Sequence, residues 1–408
     1  MMNELIEVHA DFGGRTHLVG YFRYLTKHRR QSSVFEYSDA WLSNCESFAL
    51  DPANLKLSAG QHYWSSDKTA LPGAIRDCAP DRWGRQLVRR AFHKQGLQTS
   101  LSEVDYLLAI NDYTRIGALR FKRSNETSFS HPPEQQKVPP VLQLPALLNA
   151  AMAMQSNTES AADLRLLLHE GSPLGGARPK SAVHYTDGTL AIAKFPKPND
   201  DYSIPHGEIL ALMLADNAGI NVAQGELLTV ANQPVALIKR FDRIQEERIP
   251  FLSAMSVLGL QDGDIATYTD IAECIRMYSM SPTEDLHELW RRIVFSVMVS
   301  NLDDHLRNHG FLYAGNNQWC LSPAYDLNPV PRYKKTRELT TWISEEGPDA
   351  TLDYAYNAIP YFALQLHTAK TIVTEVTHAV SNWYKLALEL GMNKTDIDIY
   401  ETAISMNQ

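Results

Sequence analysis

The residues best equipped for chemistry are two aspartates and an asparagine. Asp303 stands five positions before Asn308 in Asn301-Leu-Asp-Asp-His-Leu-Arg-Asn-His309, and Asp326 closes Leu321-Ser-Pro-Ala-Tyr-Asp326. An aspartate can orient a hydroxyl and accept its proton, while amide and carboxylate oxygens are hard ligands that suit Mg²⁺ and leave room for phosphate and water. The D-x-x-x-x-N spacing, followed by an acid borne on a strand, predicts metal-assisted phosphoryl transfer. A hairpin is expected between the two motifs, with strands Gly310 to Tyr313 and Trp319 to Leu321 about a turn at Ala314 to Asn317.

A second group of residues is suited to holding phosphates. In Gly171-Ser-Pro-Leu-Gly-Gly-Ala-Arg-Pro-Lys180, Gly171, Gly175 and Gly176 let backbone amides approach a phosphate closely. The stretch is neither a Walker A sequence nor G-x-G-x-x-G, and a plain turn is the alternative. Lys194 ends the apolar strand Thr189-Leu-Ala-Ile-Ala-Lys194, so it would present a cation to the α- and β-phosphates unless it simply faces solvent. Glu208, at the start of a helical run from Gly207 to Asp216, is the natural ion-pair partner for that lysine, although a first-turn glutamate also complements the helix dipole. Val235-Ala-Leu-Ile-Lys-Arg-Phe-Asp242 is a buried strand that turns charged, which suits either a hinge whose backbone binds adenine or an ordinary strand end.

These residues need elements to position them. Residues 1–123 alternate strand-like runs with turn signals, around a helix near Arg82 to Gln95 opened by Ala79-Pro80-Asp81. Residues 124–140 are polar with four prolines, which is linker chemistry. A helical pattern resumes from Val141 to about Met154, and beyond Gly171 two strands flank Asp187-Gly188, a hairpin turn. Beyond Phe251 the periodicity is mostly helical, with a capping box expected at Ser281-Pro-Thr-Glu284 ahead of the helix that leads to Asp303. The expected organisation is an N-terminal subdomain (1–123), a linker (124–140), a unit carrying the glycine-rich loop and hinge (141–243), and a helical unit carrying the catalytic and metal loops (244–408).

Composition narrows the classes. The net charge is -9, so no global positive field holds a polyanion, and any nucleic-acid contact is expected through a local patch or a partner. Cys45, Cys78, Cys274 and Cys320 are scattered without zinc spacing or C-x-x-C pairs, which fits a reducing cytoplasm. The acidic N-terminal residues lack the pattern of a signal peptide, and the apolar run Ile293 to Val299 is far shorter than the roughly 20 residues of a spanning helix. A cytoplasmic protein with no membrane role is the expectation.

Taken in order, Gly-Gly-Ala-Arg-Pro-Lys180, Ala-Lys-Phe-Pro196, Lys-Arg-Phe-Asp-Arg243, Asn301 to His309 and Leu321 to Asp326 resemble the HipA family of serine/threonine kinase toxins. Pro72-Gly-Ala-Ile-Arg-Asp77, Pro80-Asp-Arg-Trp-Gly-Arg85, Asp105-Tyr-Leu-Leu108 and Arg115-Ile-Gly-Ala-Leu119 are similar to that family's N-terminal subdomain, so the resemblance covers nearly the whole chain. It implies an α+β, bilobal protein-kinase-like fold with an all-helical C-terminal lobe and an additional small N-terminal α/β subdomain. It further implies ATP and Mg²⁺ as cofactors, a HipB-like helix-turn-helix antitoxin as partner, through which alone DNA is reached, and a translation component such as an aminoacyl-tRNA synthetase as protein substrate. Carried onto this sequence, Lys194 contacts phosphates, Lys239 and Phe241 offer hinge backbone to adenine, Asp303 is the catalytic base with His305 positioning its loop, and Asn308 and Asp326 hold Mg²⁺. Ser172 is the position for self-limiting autophosphorylation, with the departure that the match is one residue off and Pro173 follows. A second departure is Phe251-Leu-Ser-Ala-Met-Ser256, which replaces a Gln-Glu-Asp signature.

Two rival readings accompany this one. The first is a metal-dependent hydrolase using Asp303, Asp304, His305 and His309, the histidines sharing a helical face. The second is a catalytically silent kinase-like scaffold that acts with an antitoxin as a DNA-bound repressor.

Overall fold

A computed structural model of the protein describes residues 4–27, 30–66, 68–96, 100–129, 138–170 and 177–404. The chain mixes helices and strands and divides into two compact units. One comprises 1–198, 240–252 and 315–317, and the other 199–239, 253–314 and 318–408.

The first unit is built on a five-stranded antiparallel sheet whose strands run in the order Gln61–Ser66, Arg30–Tyr37, Arg15–Lys27, Glu4–Phe12, Leu119–Arg123. Alternation along Glu4–Phe12 sends Ile6, Val8 and Ala10 into a core shared with Phe22, Phe35 and Phe121. The helix Arg82–Lys94 starts where Asp81 accepts the Gly84 N–H at 2.8 Å, and it buries Trp83, Leu87, Val88 and Ala91 along one face. Helices Leu144–Gln155 and Ala161–Glu170 follow, then the hairpin of Lys180–His184 and Leu190–Lys194. Its turn is closed by the Gly188 amide donating to Tyr185 O at 3.0 Å. Gly188 alone of the Asp187-Gly188 pair takes a positive φ, so the dipeptide does not adopt the two left-handed residues of a type I′ turn.

In the second unit the helix Pro282–Val299 is central. Pro282 opens it, Glu284 and Asp285 complement its N-terminus, and from Ile293 to Val299 every side chain is buried. The expected capping box does not form: Ser281 makes no side-chain cap bond. Instead the Ser279 hydroxyl accepts the Ser281 amide at 2.9 Å and donates to Asp285 Oδ2 at 2.7 Å. Reciprocal boxes do form at Ser102/Asp105 and Thr267/Asp270. Nor is the C-terminal part all-helical. Among its helices stands the hairpin Gly310–Gly315 and Gln318–Leu321, turned by Asn316 and Asn317 with φ of 53° and 58°. This is the hairpin expected between the Asp303 and Asp326 motifs, and it corrects the all-helical lobe that the family resemblance implied.

The helix Ile204–Asn217 begins earlier than expected, and Glu208 lies in its second turn, where it is buried rather than exposed near the helix start. The neighbouring Gly207 explains how the helix seats. A Cβ there would fall 1.9 Å from the Tyr400 hydroxyl, which donates to Ser203 O at 2.9 Å. Gly207→Ala is expected to lower unfolding stability by about 2 kcal/mol, the range of overpacked cores. Urea unfolding should show a smaller loss for the same substitution in a Tyr400→Phe background.

Candidate functional site

The helix Pro282–Val299 ends at Ser300, whose left-handed φ of 54° turns the chain sharply into the loop of Asp303. That conformation costs a non-glycine residue roughly 1 kcal/mol. It is offset by Ser300 Oγ donating to Ala403 O at 2.6 Å and by Val330 N donating to Ser300 O at 2.9 Å. Asn301, fully buried, then joins the two expected motifs. Its Oδ1 accepts the Asn328 amide at 2.9 Å and its Nδ2 donates to Ser296 Oγ at 3.3 Å. Asn328 in turn donates to Asp326 O at 3.0 Å and to Asp326 Oδ1 at 3.3 Å.

Asp326 itself has a φ of 58°, a strained conformation for an aspartate that its surroundings enforce. Upstream, Arg292 donates to Ser322 O at 2.8 Å, while Ala324 exchanges backbone bonds with Asn221 O and Ala223 N. Asp326 lies in the loop beyond the strand Gln318–Leu321 rather than on a strand as expected, and Tyr325 Oη donates to Arg307 O at 2.5 Å, a further tie between this loop and that of Asp303. Sequence spacing thus identified two loops that the fold does bring together. The residues that join them, Asn301, Asn328 and Tyr325, carried no signal of their own.

Asp303 and Asp304 have opposite surroundings. Asp303 is exposed; Asp304 is buried, accepting a hydrogen bond from the Tyr268 hydroxyl, with His309 Nε2 3.2 Å from its Oδ1 at an angle away from a straight hydrogen bond. Burial alone would raise the Asp304 pKa. The close His309 charge, the bond from Tyr268 and the His305 charge together hold it below the usual carboxylate range. Burial, followed by the neighbouring Asp304 charge, pushes the Tyr268 phenol well above its ordinary value. Asp304 is therefore a structural acid, and the open Asp303 is the one that can meet a substrate.

His305 and His309 do not share a helical face. A single 3₁₀ turn, Leu306–Asn308, separates them, and both have extended backbones. His305 Nδ1 is buried without a hydrogen-bond partner, and Asn308 is buried at the end of the turn. Among the described residues no group of three or more His, Cys, Asp or Glu side chains is placed to hold a metal. The cavity behind the loop, lined by Arg292, Ser296, Asp304, Asn308 and His309, measures about 10 Å³. It has room for about one water.

In the first unit, Lys180 and Lys194 are direct partners across the hairpin. Lys180 is buried in an ion pair with Asp81 at 2.9 Å, whereas Lys194 is half-buried, on the more open face of a strand whose Ala191 and Ala193 are fully buried. The strand Gln233–Lys239 ends three residues short of the expected Asp242, and Arg240 and Asp242 beyond it are buried. The Lys239 amide donates to Gln224 O at 2.8 Å. Gly175, Gly176 and Ser172 lie outside the described residues.

The chain belongs to the HipA family: the HipA-like C-terminal domain matches residues 172–383 and the HipA N-terminal domain matches residues 15–122. The structure of Shewanella oneidensis HipA, solved with HipB and operator DNA, superposes with a TM-score of 0.69 over 98% of this chain and 95% of that one. At 15% identity this is a likeness of fold. A Sinorhizobium fredii protein that carries the provisional name of a kinase is 26% identical over 345 residues, 78% of this chain and 76% of the relative. A Haemophilus influenzae relative with a similarly provisional kinase name is 24% identical over 181 residues, 40% of this chain and 53% of that protein. No helix among the described residues is long and apolar enough to cross a membrane.

Asp304→Asn tests the division of labour between the two acids. A carboxylate with a depressed folded-state pKa stabilises the fold above its unfolded value of about 3.9, and that contribution is lost as pH falls through the folded value. The variant is expected to be less stable than the parent by roughly 1–3 kcal/mol at pH 7. Urea unfolding should show the gap shrinking below about pH 4.

Proposed function

We propose that this chain is a HipA-type protein kinase that uses Mg²⁺ and ATP to phosphorylate a serine or threonine on a protein substrate. The observation that carries the reading is that the loop of the exposed Asp303 and the buried Asn308 is tied through Asn301 and Asn328 to the loop of the strained Asp326. The donor set fits Mg²⁺, which takes few protein oxygens and completes its shell with phosphate and water. When bound, Mg²⁺ would neutralise charge developing on the transferred phosphoryl group.

In this reading Asp303 orients the substrate hydroxyl and accepts its proton, and His305 holds the loop. Lys194, paired with Glu208, contacts the α- and β-phosphates. The backbone of Lys239 and Phe241 receives adenine, and Gly175 and Gly176 line the phosphate loop. These roles amount to a kinase-like bilobal layout, supported by family membership and by the kinase names of the relatives. The Shewanella HipA complex with HipB and operator DNA supports a helix-turn-helix antitoxin as partner, with DNA reached through it. A translation component as substrate and self-limitation at Ser172 complete the proposal.

Labelled phosphate should pass from MgATP to protein. Asp303→Asn should slow transfer by roughly 10²–10⁴-fold, the usual weight of a general base. Equal labelling by parent and variant would remove Asp303 from its role. Mass spectrometry after incubation with MgATP should find phosphoserine at Ser172, and phosphate confined to other positions would retire that site.

A further inference from the structure

The segment after the hinge is bound by a loop of the N-terminal domain with unusual density. Asp242, fully buried, accepts the Gly117 amide at 2.7 Å, Arg240 Nε at 2.6 Å and Arg243 Nη1 at 2.7 Å. Three arginines donate to carbonyls of the same loop. Arg240 Nη1 donates to Thr114 O at 2.9 Å, Arg243 Nη2 to Arg115 O at 2.6 Å, and Arg248 Nη2 to Asp112 O at 3.0 Å. Gly117 has a φ of 67°, and a Cβ there would lie 3.1 Å from the Phe251 amide nitrogen, so the loop approaches as closely as backbone allows. Burial opposes ionisation of Asp242, yet the charges and bonds of Arg240 and Arg243 hold its carboxyl well below the usual range.

This network ties a loop of the matched N-terminal domain to residues of the matched C-terminal domain. It does so on either side of Phe241, the residue whose backbone the proposed function assigns to adenine. A second grip lies at the other nucleotide element. Asp81, the cap of the helix Arg82–Lys94, holds Lys180 at the start of the strand that follows the glycine-rich segment, and Trp83 Nε1 donates to Lys180 O at 3.1 Å.

We propose that the loop at residues 111–117 positions the hinge backbone at Phe241 through Asp242, so that the N-terminal domain sets the affinity for nucleotide. The inference rests on the kinase reading above and deepens it. Asp242 touches no substrate in this account; it is a positioning residue. Its neighbours leave it no other freedom, because a carboxylate buried among guanidinium groups and a backbone amide cannot rotate away without stranding them unpaired.

Two measurements on the full chain test it. By linkage, a ligand that gains from an ordered hinge must order the loop in return. Saturating non-hydrolysable ATP analogue should therefore slow hydrogen exchange of the Gly117 amide by roughly fivefold or more, within the usual range of such couplings. Asp242→Asn, checked for folding by circular dichroism, should raise KM for ATP roughly tenfold while kcat and KM for the protein substrate stay within about twofold. Gly117→Ala should act in the same direction. Unchanged exchange at residues 112–117 with analogue bound, or a folded Asp242→Asn protein with the parent's KM for ATP, would overturn the inference. A parent that binds no analogue would overturn the kinase reading and this inference with it.

Discussion

The buried carboxamide of Asn301 is the constraint on which the candidate site depends. It sits where the helix Pro282–Val299 has just ended, and it bonds back to Ser296 and across to Asn328. A buried amide left unpaired costs about 1–3 kcal/mol, so helix, Asp303 loop and Asp326 loop gain by forming together. Two conformations that local preference disfavours, the left-handed Ser300 and Asp326, persist because this tie and its neighbours determine them. The geometry of the candidate site thus follows from a helix end rather than from the side chains of Asp303, Asn308 and Asp326 themselves.

A second regularity is that residues of the proposed site stand beside charged residues committed to structure. Asp304 is buried against Tyr268 and His309, while Asp303 is open. Lys180 is consumed by Asp81, while Lys194 is half-buried on a more open face. Arg240 and Asp242 are locked into the loop at 111–117, while Phe241 between them packs near Phe251 with ring centroids 6.4 Å apart. Buried charge is tolerated only where it is paired, and those pairs fix the backbone that carries the open partner.

What was legible in the sequence was local. The D-x-x-x-x-N spacing, the hairpin turned by Asn316 and Asn317, and the helix capped by Asp81 each lie within a few residues, where turn and cap chemistry is decisive. What was not legible was distant. Asn301 meets Asn328, Tyr268 meets Asp304, and Gly117 meets Asp242 only through tertiary folding, and no spacing rule predicts such pairs. The expected box at Ser281 failed because Ser279 and Asp285 offered competing bonds. The all-helical C-terminal lobe, implied by the resemblance alone, is corrected by the hairpin Gly310–Gly315 and Gln318–Leu321, which the turn residues after Tyr313 already signal. Resemblance to HipA supplied the order of the motifs, which no single spacing carries.

The central claim is that Asp326 and Asn308 form a Mg²⁺ site for nucleotide phosphates. The most direct measurement is the affinity of the protein for a non-hydrolysable ATP analogue, by isothermal titration with and without Mg²⁺, in the parent and in Asp326→Asn. The account predicts that Mg²⁺ tightens binding to the parent by roughly tenfold, worth about 1.4 kcal/mol, and has little effect on the variant. The same Mg²⁺ dependence in both proteins would contradict it.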